Sequence, residues 1–126
     1  MQINAIDHIV LTVKDIDKSV AFYTSVLGMQ MRTFGQGRVA LFFGHHKINL
    51  HKAGEELLPH AEHPTRGSAD MCFLTNTSVE KAMRELRSHN VPIEEGPVHR
   101  SGSQGDILSI YIRDPDGNLI EIANRI

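Results

Sequence analysis

The chain has 126 residues, of which 40% are hydrophobic and 22% are charged, and its formal net charge is -2. These values fit one globular domain with a core of its own, and they exclude the strongly basic surface that nucleic acids and anionic membranes attract. No apolar run approaches the roughly 20 residues of a membrane span, the N-terminus lacks the pattern of a secretory signal, and the single cysteine, Cys72, excludes an internal disulfide, so we expect a soluble, cytoplasmic protein.

The first half of the chain predicts a strand, a helix and three further strands. Residues 7–13, DHIVLTV, alternate between two faces, as a half-buried strand does. A helix follows over 14–28, with Asp15 as its N-cap and Gly28 as its C-terminal stop. Short apolar runs separated by glycine-containing turns then predict strands over 29–34, 38–43 and 47–51.

The second half repeats this pattern. A Thr77-x-x-Glu80 capping box begins its helix. The Gly-, Ser- and His-rich stretch 96–106 predicts a flexible loop, and the turn formers at 114–118 precede the last strand, which contains Glu121. The predicted elements of this half are a strand over 69–75, a helix over 77–90 and strands over 91–95, 107–113 and 119–122.

The two halves align as a pattern rather than as identical letters, with His8 of the first strand over Asp70 of the second. A repeat of this size indicates two copies of one supersecondary unit. We therefore predict a single domain built from a module over 1–53, a linker over 54–68 and a second module over 69–126.

Strand alternation predicts that five polar side chains face away from the core. Each of them alternates with aliphatic or aromatic neighbours in its strand: His8, Asn49, His51, Asp70 and Glu121. Glu121 stands between Ile120 and Ile122, and burying an unpaired carboxylate is costly. A cation, a metal ion or solvent is therefore expected beside it.

The motifs DHIVLTV, FYTSVLGM and DPDGNLIEI, in this order within a doubled strand–helix–three-strand pattern, resemble the vicinal oxygen chelate superfamily. That group includes glyoxalase I, fosfomycin-resistance proteins, extradiol dioxygenases and bleomycin-resistance proteins. The segments KINLHKAGEE, AEHPTRGSADMCF and VPIEEGPVHRSG are similar to one branch of it, the glyoxalase domain-containing protein 5 family and its virulence-associated bacterial relatives.

The resemblance implies an α+β fold in which two βαβββ modules form a curved mixed sheet around a divalent metal. Its ligands would be His8, Asp70, Glu121 and either Asn49 or His51. We prefer His51, because imidazole binds transition metals better than a neutral amide does. Mn, Ni, Zn, Co or Fe would suit this set, and the ligands would come from one chain or from two chains of a homodimer.

The resemblance also implies a function. A glyoxalase-like (lactoylglutathione lyase-like) enzyme would chelate two neighbouring oxygens of a small carbonyl substrate or a glutathione or other thiol adduct, and it would move a proton through an enediolate. Glu121, or Asp70 if the metal holds it loosely, would be the base, and Arg100 would be a substrate contact. The alternatives are a thiol transferase or dioxygenase with the same metal site, or a metal-free drug-binding resistance protein. Arg38, Lys47 and Arg100 would supply the cationic patch that a phosphonate substrate needs.

Each candidate also has a purely structural explanation. His8 would be a hydrogen-bonded strand histidine, His51 a solvated strand end and Asp70 a turn cap. Glu121 would pair with Arg113 or Arg100. Cys72 shares the face of Asp70, where it would reach the cavity or serve only in packing.

Overall fold

The computed structural model describes all residues from Met1 to Ile126. The chain divides into two compact units, Met1–Gly67 and Ser68–Ile126, which we call module one and module two. Each module contains one four-stranded sheet and one helical segment. Neither helix has the length and apolar character needed to cross a membrane.

Module one consists of a mixed sheet with a helix packed on one face. Its strands lie in the order β1-β4-β3-β2, with β1 parallel to β4 and the other pairs antiparallel. Apolar side chains such as Leu11, Val13 and Ile48 are buried in its core. The elements are β1 Ile9–Val13, helix α1 Ile16–Ala21, a π-helical turn Phe22–Val26, β2 Gln30–Phe34, β3 Arg38–Phe43 and β4 His46–Lys52.

The ends of α1 follow from two residues. Asp15 has an extended backbone, and its carboxylate accepts a hydrogen bond from the amide of Lys18 at 3.0 Å, as an N-cap does. Gly28 has a φ of +70°, a conformation that favours glycine, and its amide donates to Thr24 O. Both predicted ends are confirmed, while the widening of the helix into a π-turn was not predicted.

Module two repeats the architecture. Its strands lie in the order β5-β8-β7-β6, again with the first pair parallel and the others antiparallel. The predicted α+β class with two βαβββ modules is confirmed. The elements are β5 Asp70–Leu74, α2 Val79–Ser88, β6 Glu95–Gly102, β7 Gly105–Arg113 and β8 Leu119–Arg125.

The predicted capping box of α2 is wrong by one residue. Ser78 is the N-cap, and its hydroxyl accepts from the amide of Lys81 at 3.2 Å. Thr77 is engaged elsewhere, because its carbonyl accepts from Asn124 Nδ2 at 2.8 Å and its amide donates to the Thr75 hydroxyl. The side chain of Asn124 in β8 therefore fixes the entry to α2.

The predicted loop over 96–106 is also wrong, because most of it forms β6 and pairs with β7. Its glycines serve close approach rather than flexibility. A Cβ on Gly96 would lie 2.5 Å from Ser109 O, and a Cβ on Gly102 would lie 2.7 Å from Gly105 O. Arg100 therefore stands on a regular strand.

Candidate functional site

Glu121 lies on the open face of the module-two sheet, half-buried, between the buried side chains of Ile120 and Ile122. Its neighbours across β8 are Cys72 of β5 and Tyr111 of β7. The fully buried hydroxyl of Ser109 donates a hydrogen bond to Glu121 Oε2 at 2.5 Å. A neutral donor thus holds one carboxylate oxygen in place.

Neither arginine proposed as a structural partner pairs with Glu121. Arg113 binds Glu94, with a Nε–Oε1 distance of 3.0 Å. Arg100 donates to Glu95 at 3.1 Å and to the Tyr111 hydroxyl at 3.0 Å. The structure therefore leaves Glu121 without a neighbouring cation in an ion pair.

A pocket of about 350 Å³ opens on the same face and brings together Glu121, Cys72 and Arg100. Burial, with the charge of Glu121 as the next contribution, raises the pKa of the Cys72 thiol to about 11. Burial also raises the pKa of Tyr111; the hydrogen bond from Arg100 opposes this rise and the charge of Glu121 adds to it. At neutral pH both groups are protonated, so each has a hydrogen to donate to the carboxylate or to a ligand.

Asp70, the first residue of β5, is positioned by the turn that precedes β8. The side chain of Asn118, only 1% exposed, donates to Asp114 Oδ2 at 2.7 Å and accepts from the amide of Ala69 at 2.8 Å. Leu119 N donates to Ala69 O as well. This turn therefore ties the start of β5 to the start of β8.

In module one, His8 directly precedes β1 and is exposed. Its Nδ1 lies 2.8 Å from Asp7 Oδ1, so the carboxylate accepts the Nδ1 proton. In the tautomer that carries its proton on Nδ1, such a histidine has Nε2 as its ligand atom, the arrangement typical of metal-binding imidazoles.

Asn49 and His51 are buried on one side of β4, with 3% and 9% of their surfaces exposed. The predicted solvated alternative for His51 is therefore wrong. Asn49 Oδ1 and His51 Nε2 are both buried without a hydrogen-bond partner. Burial, and next the positive charge of Arg38, lowers the pKa of His51, so the ring is neutral at physiological pH. Two buried polar atoms without a partner in the chain are places where a water molecule, a ligand or a metal ion can bind.

The register of β1 and β4 separates these two residues. Val10, two residues after His8, stands opposite Asn49, whereas Thr12, four residues after His8, stands opposite His51. At roughly 3.3 Å per residue, His51 is about 13 Å further along the sheet than His8. Asn49 is the nearer partner of His8.

The register of β5 and β8 gives the matching relation in module two. Cys72, two residues after Asp70, stands opposite Glu121. Asn49 therefore occupies in module one the place that Glu121 occupies in module two. The repeat favours Asn49 over His51 as the first-module ligand position.

These residues suit a divalent metal as ligands, although each module supplies a pair rather than a complete set. The chain contains no group of three or more His, Cys, Asp or Glu side chains arranged to hold an ion. The free Nε2 of His8, the unpartnered Asn49 Oδ1 and the uncompensated carboxylate of Glu121 are nitrogen and oxygen donors of the kind that Mn, Ni, Co and Zn accept.

The contact between Ser109 and Glu121 was not predicted from the sequence. Ser109 sits in the aliphatic strand ILSIYIR, and a lone hydroxyl in such a run was a usable signal. The contact of Arg100 with Tyr111 depends on the β6–β7 register. It was not predicted because residues 96–106 were expected to form a loop.

Comparison with known proteins agrees with this architecture. The virulence protein STM3117 of Salmonella typhimurium is 52% identical over 126 residues, which cover 100% of this chain and 88% of that protein. Its crystal structure matches with a TM-score of 0.98 over 100% of both chains. The glyoxalase domain-containing protein RDO1 of Mycosarcoma maydis is 49% identical over 98% of this chain and 70% of its own length.

More distant relatives are named as enzymes. A lactoylglutathione lyase of Salmonella typhimurium is 30% identical over 91% of this chain and 88% of its own. The metallothiol transferase FosB of Staphylococcus epidermidis is 28% identical over 97% and 82%. The model of the Glyoxalase/Bleomycin resistance protein/Dioxygenase superfamily matches residues 5–122. The chain thus belongs to this superfamily, the vicinal oxygen chelate group that its motifs resemble.

Proposed function

We propose that the chain is a metal-dependent, glyoxalase-like lyase or isomerase that moves a proton between neighbouring carbons of a small carbonyl or thiol-adduct substrate. The observation that carries the proposal is the carboxylate of Glu121. It is half-buried, unpaired with any cation, held by Ser109 and open to a pocket. A positioned carboxylate of this kind can accept a proton from carbon and return it.

The proposed metal ligands are His8 and Asn49 from module one and Asp70 and Glu121 from module two, with His51 as the alternative to Asn49. These pairs would meet in one chain or between the chains of a homodimer. When bound, a divalent metal supplies Lewis-acid stabilisation of negative charge on two neighbouring substrate oxygens.

The residues of module two would divide the remaining work. The Ser109 hydroxyl holds Glu121 Oε2, which would leave the other oxygen for a metal ion or, when it is not bound to the metal, for the substrate proton. Arg100 lines the pocket and retains donors for an anionic part of the substrate. Because the Cys72 thiol is protonated, it adds no second negative charge beside the proposed base, Glu121.

The test is turnover of the hemithioacetal of methylglyoxal and glutathione by protein loaded in turn with Mn, Co, Ni, Zn and Fe. Glu121→Gln keeps the shape of the side chain and removes its basicity, so we expect a loss of about 10²- to 10⁴-fold with an unchanged near-UV circular dichroism spectrum. Glu85→Gln, at an exposed site on α2, is the matched control. Full activity of Glu121→Gln would sink the assignment.

A further inference from the structure

The pocket of module two has two ends of opposite charge. Glu121 lines one end, and Arg125, four residues further along β8, lines the other. Both side chains are on the open face of the sheet, because residues two and four apart in a strand share a face. At roughly 3.3 Å per residue, their Cα atoms are about 13 Å apart. A ligand that fills the pocket therefore meets a negative end and a positive end.

The charge of Arg125 is not balanced within the chain. Its side chain is exposed and forms neither an ion pair nor a hydrogen bond. Arg100, the other arginine of the pocket, is already paired with Glu95 at 3.1 Å and donates to the Tyr111 hydroxyl. An anionic ligand therefore gains most by binding to Arg125.

Apolar side chains lie between the two charged ends. Leu74 of β5 stands opposite Ala123, which is midway between Glu121 and Arg125 on β8. Ile107 of β7 stands opposite Arg125. Leu74 is 50% exposed although it lines the pocket, so an apolar ligand would remove its surface from water. These side chains offer no partner to a peptide amide, so an alkyl chain fits this part of the pocket better than a peptide does.

We propose that the pocket of module two binds a small monocarboxylate with an alkyl chain, and that Arg125 is the residue that selects it. Arg125 attracts the carboxylate and the negative charge of Glu121 repels it, so the ligand enters in one orientation. A second carboxylate would lie near Glu121, which disfavours a diacid.

This inference rests on the proposed function, because it takes Glu121 as the place where the reacting carbons lie. The substrate class that follows is a carbonyl compound or thiol adduct with one carboxylate, which an alkyl chain separates from the reacting carbons. Arg125 is then a specificity-determining residue, and it takes no part in the proton transfer itself.

The test is an NMR titration of the full chain with hexanoate, which has the carboxylate and the alkyl chain but no aldehyde or ketone, in a buffer without carboxylates. We expect saturable binding that Arg125→Gln weakens by about tenfold or more, because a charge-assisted hydrogen bond is lost. Arg125→Lys keeps the charge and should retain most of the affinity. Arg84→Gln, which removes an exposed charge on α2, is the matched control and should bind as the wild type does.

A second series tests the apolar wall. Each methylene added between butyrate and hexanoate should tighten binding by about three- to fourfold. Leu74→Ser should reduce this gain. Leu57→Ser should not, because Leu57 is in the linker, and it is a matched control since its exposure of 48% is close to the 50% of Leu74.

Three results would overturn the proposal: no saturable binding of hexanoate by the wild type, equal binding by Arg125→Gln, or binding of hexan-1-ol as tight as that of hexanoate. Glu121→Gln should bind hexanoate at least as tightly as the wild type, because it removes a repelling charge, and weaker binding would contradict the orientation. Since hexanoate binding does not require turnover, failure of the proposed reaction and failure of this binding site give different results.

Discussion

Asn49 in module one and Glu121 in module two occupy matching places in matching sheets, yet their surroundings differ. Around Glu121 the structure places neutral donors, Ser109 above all. The face that contains Asn49 instead carries unpaired cations, including Arg38 and Lys47 beside Phe34. The two modules therefore share a backbone register, but the side chains at matching positions differ in charge and in hydrogen bonding. The proposed base is in module two, whereas the unpaired cations Arg38 and Lys47 are in module one.

The largest expected effect is on metal affinity, and it distinguishes Asn49 from His51 as the metal ligand of module one. If Asn49 is the counterpart of Glu121, Asn49→Ala should weaken metal binding about 10- to 100-fold, because a ligand oxygen is lost. His51→Ala should change the affinity by no more than about twofold, because the register places it some four residues beyond His8. Competition with a fluorescent chelator measures both, and the reverse order of effects would make His51 the ligand.

The next effect concerns the turn that anchors Asp70 in module two. Asn118→Ala removes the hydrogen bond that Asn118 donates to Asp114 Oδ2 and the one that it accepts from the Ala69 amide, so we expect a loss of about 2 kcal/mol in the free energy of unfolding. Urea denaturation measures it. Asn76→Ala, at an exposed position, is the control, and equal stability of the two variants would show that the anchor is not needed.

A smaller effect should appear at Cys72. Its pKa of about 11 leaves about one thiolate in a thousand at pH 8. Glu121→Gln removes the negative charge that helps to raise this pKa, so alkylation by iodoacetamide should become several-fold faster. The control Glu85→Gln should alkylate at the wild-type rate. An unchanged rate in Glu121→Gln would place the Glu121 charge too far from Cys72 to matter.

The smallest expected effect is on the pH dependence of stability, through His51 of module one. The folded-state pKa of His51 is lowered, so between that value and the unfolded value near 6.5 the unfolded chain binds more protons. The stability contribution of neutral His51 is therefore present above pH 6.5 and falls as the pH drops through the folded pKa. Thermal unfolding at several pH values should show a weaker acid dependence in His51→Gln than in the wild type, and His63→Gln, exposed in the linker, should match the wild type.

Alternation and turn residues were enough to predict most of the fold. DHIVLTV, the Asp15 cap and the Asp114–Asn118 turn each act locally, so the sequence carries their signals directly. The strand β6 was missed because Gly96 and Gly102 look like loop residues, although they allow close contact with β7. That contact is a tertiary property, and composition alone does not show it.

Strand alternation predicted which residues of the candidate site share a sheet face, but it did not predict which residues lie beside one another across the strands. Alternation placed Asp70, Cys72 and Glu121 together on one side, as the β5–β8 register shows. The preference for His51 rested on ligand chemistry. The β1–β4 register shows instead that Asn49 is nearer than His51 to His8. Of the predicted cationic patch, Arg38 and Lys47 lie together beside Phe34 in module one, whereas Arg100 is on β6 of module two.

We propose that the matched pairs His8–Asn49 and Asp70–Glu121 hold a metal ion for proton transfer. The most direct test is elemental analysis of the protein purified without an affinity tag, beside the double variant His8→Ala, Glu121→Ala. We predict roughly one first-row transition-metal ion per chain in the wild type and none in the variant. The absence of metal from both proteins, even after soaking with Mn, Co, Ni, Zn and Fe, would contradict the proposed metal site and make Glu121 a structural carboxylate.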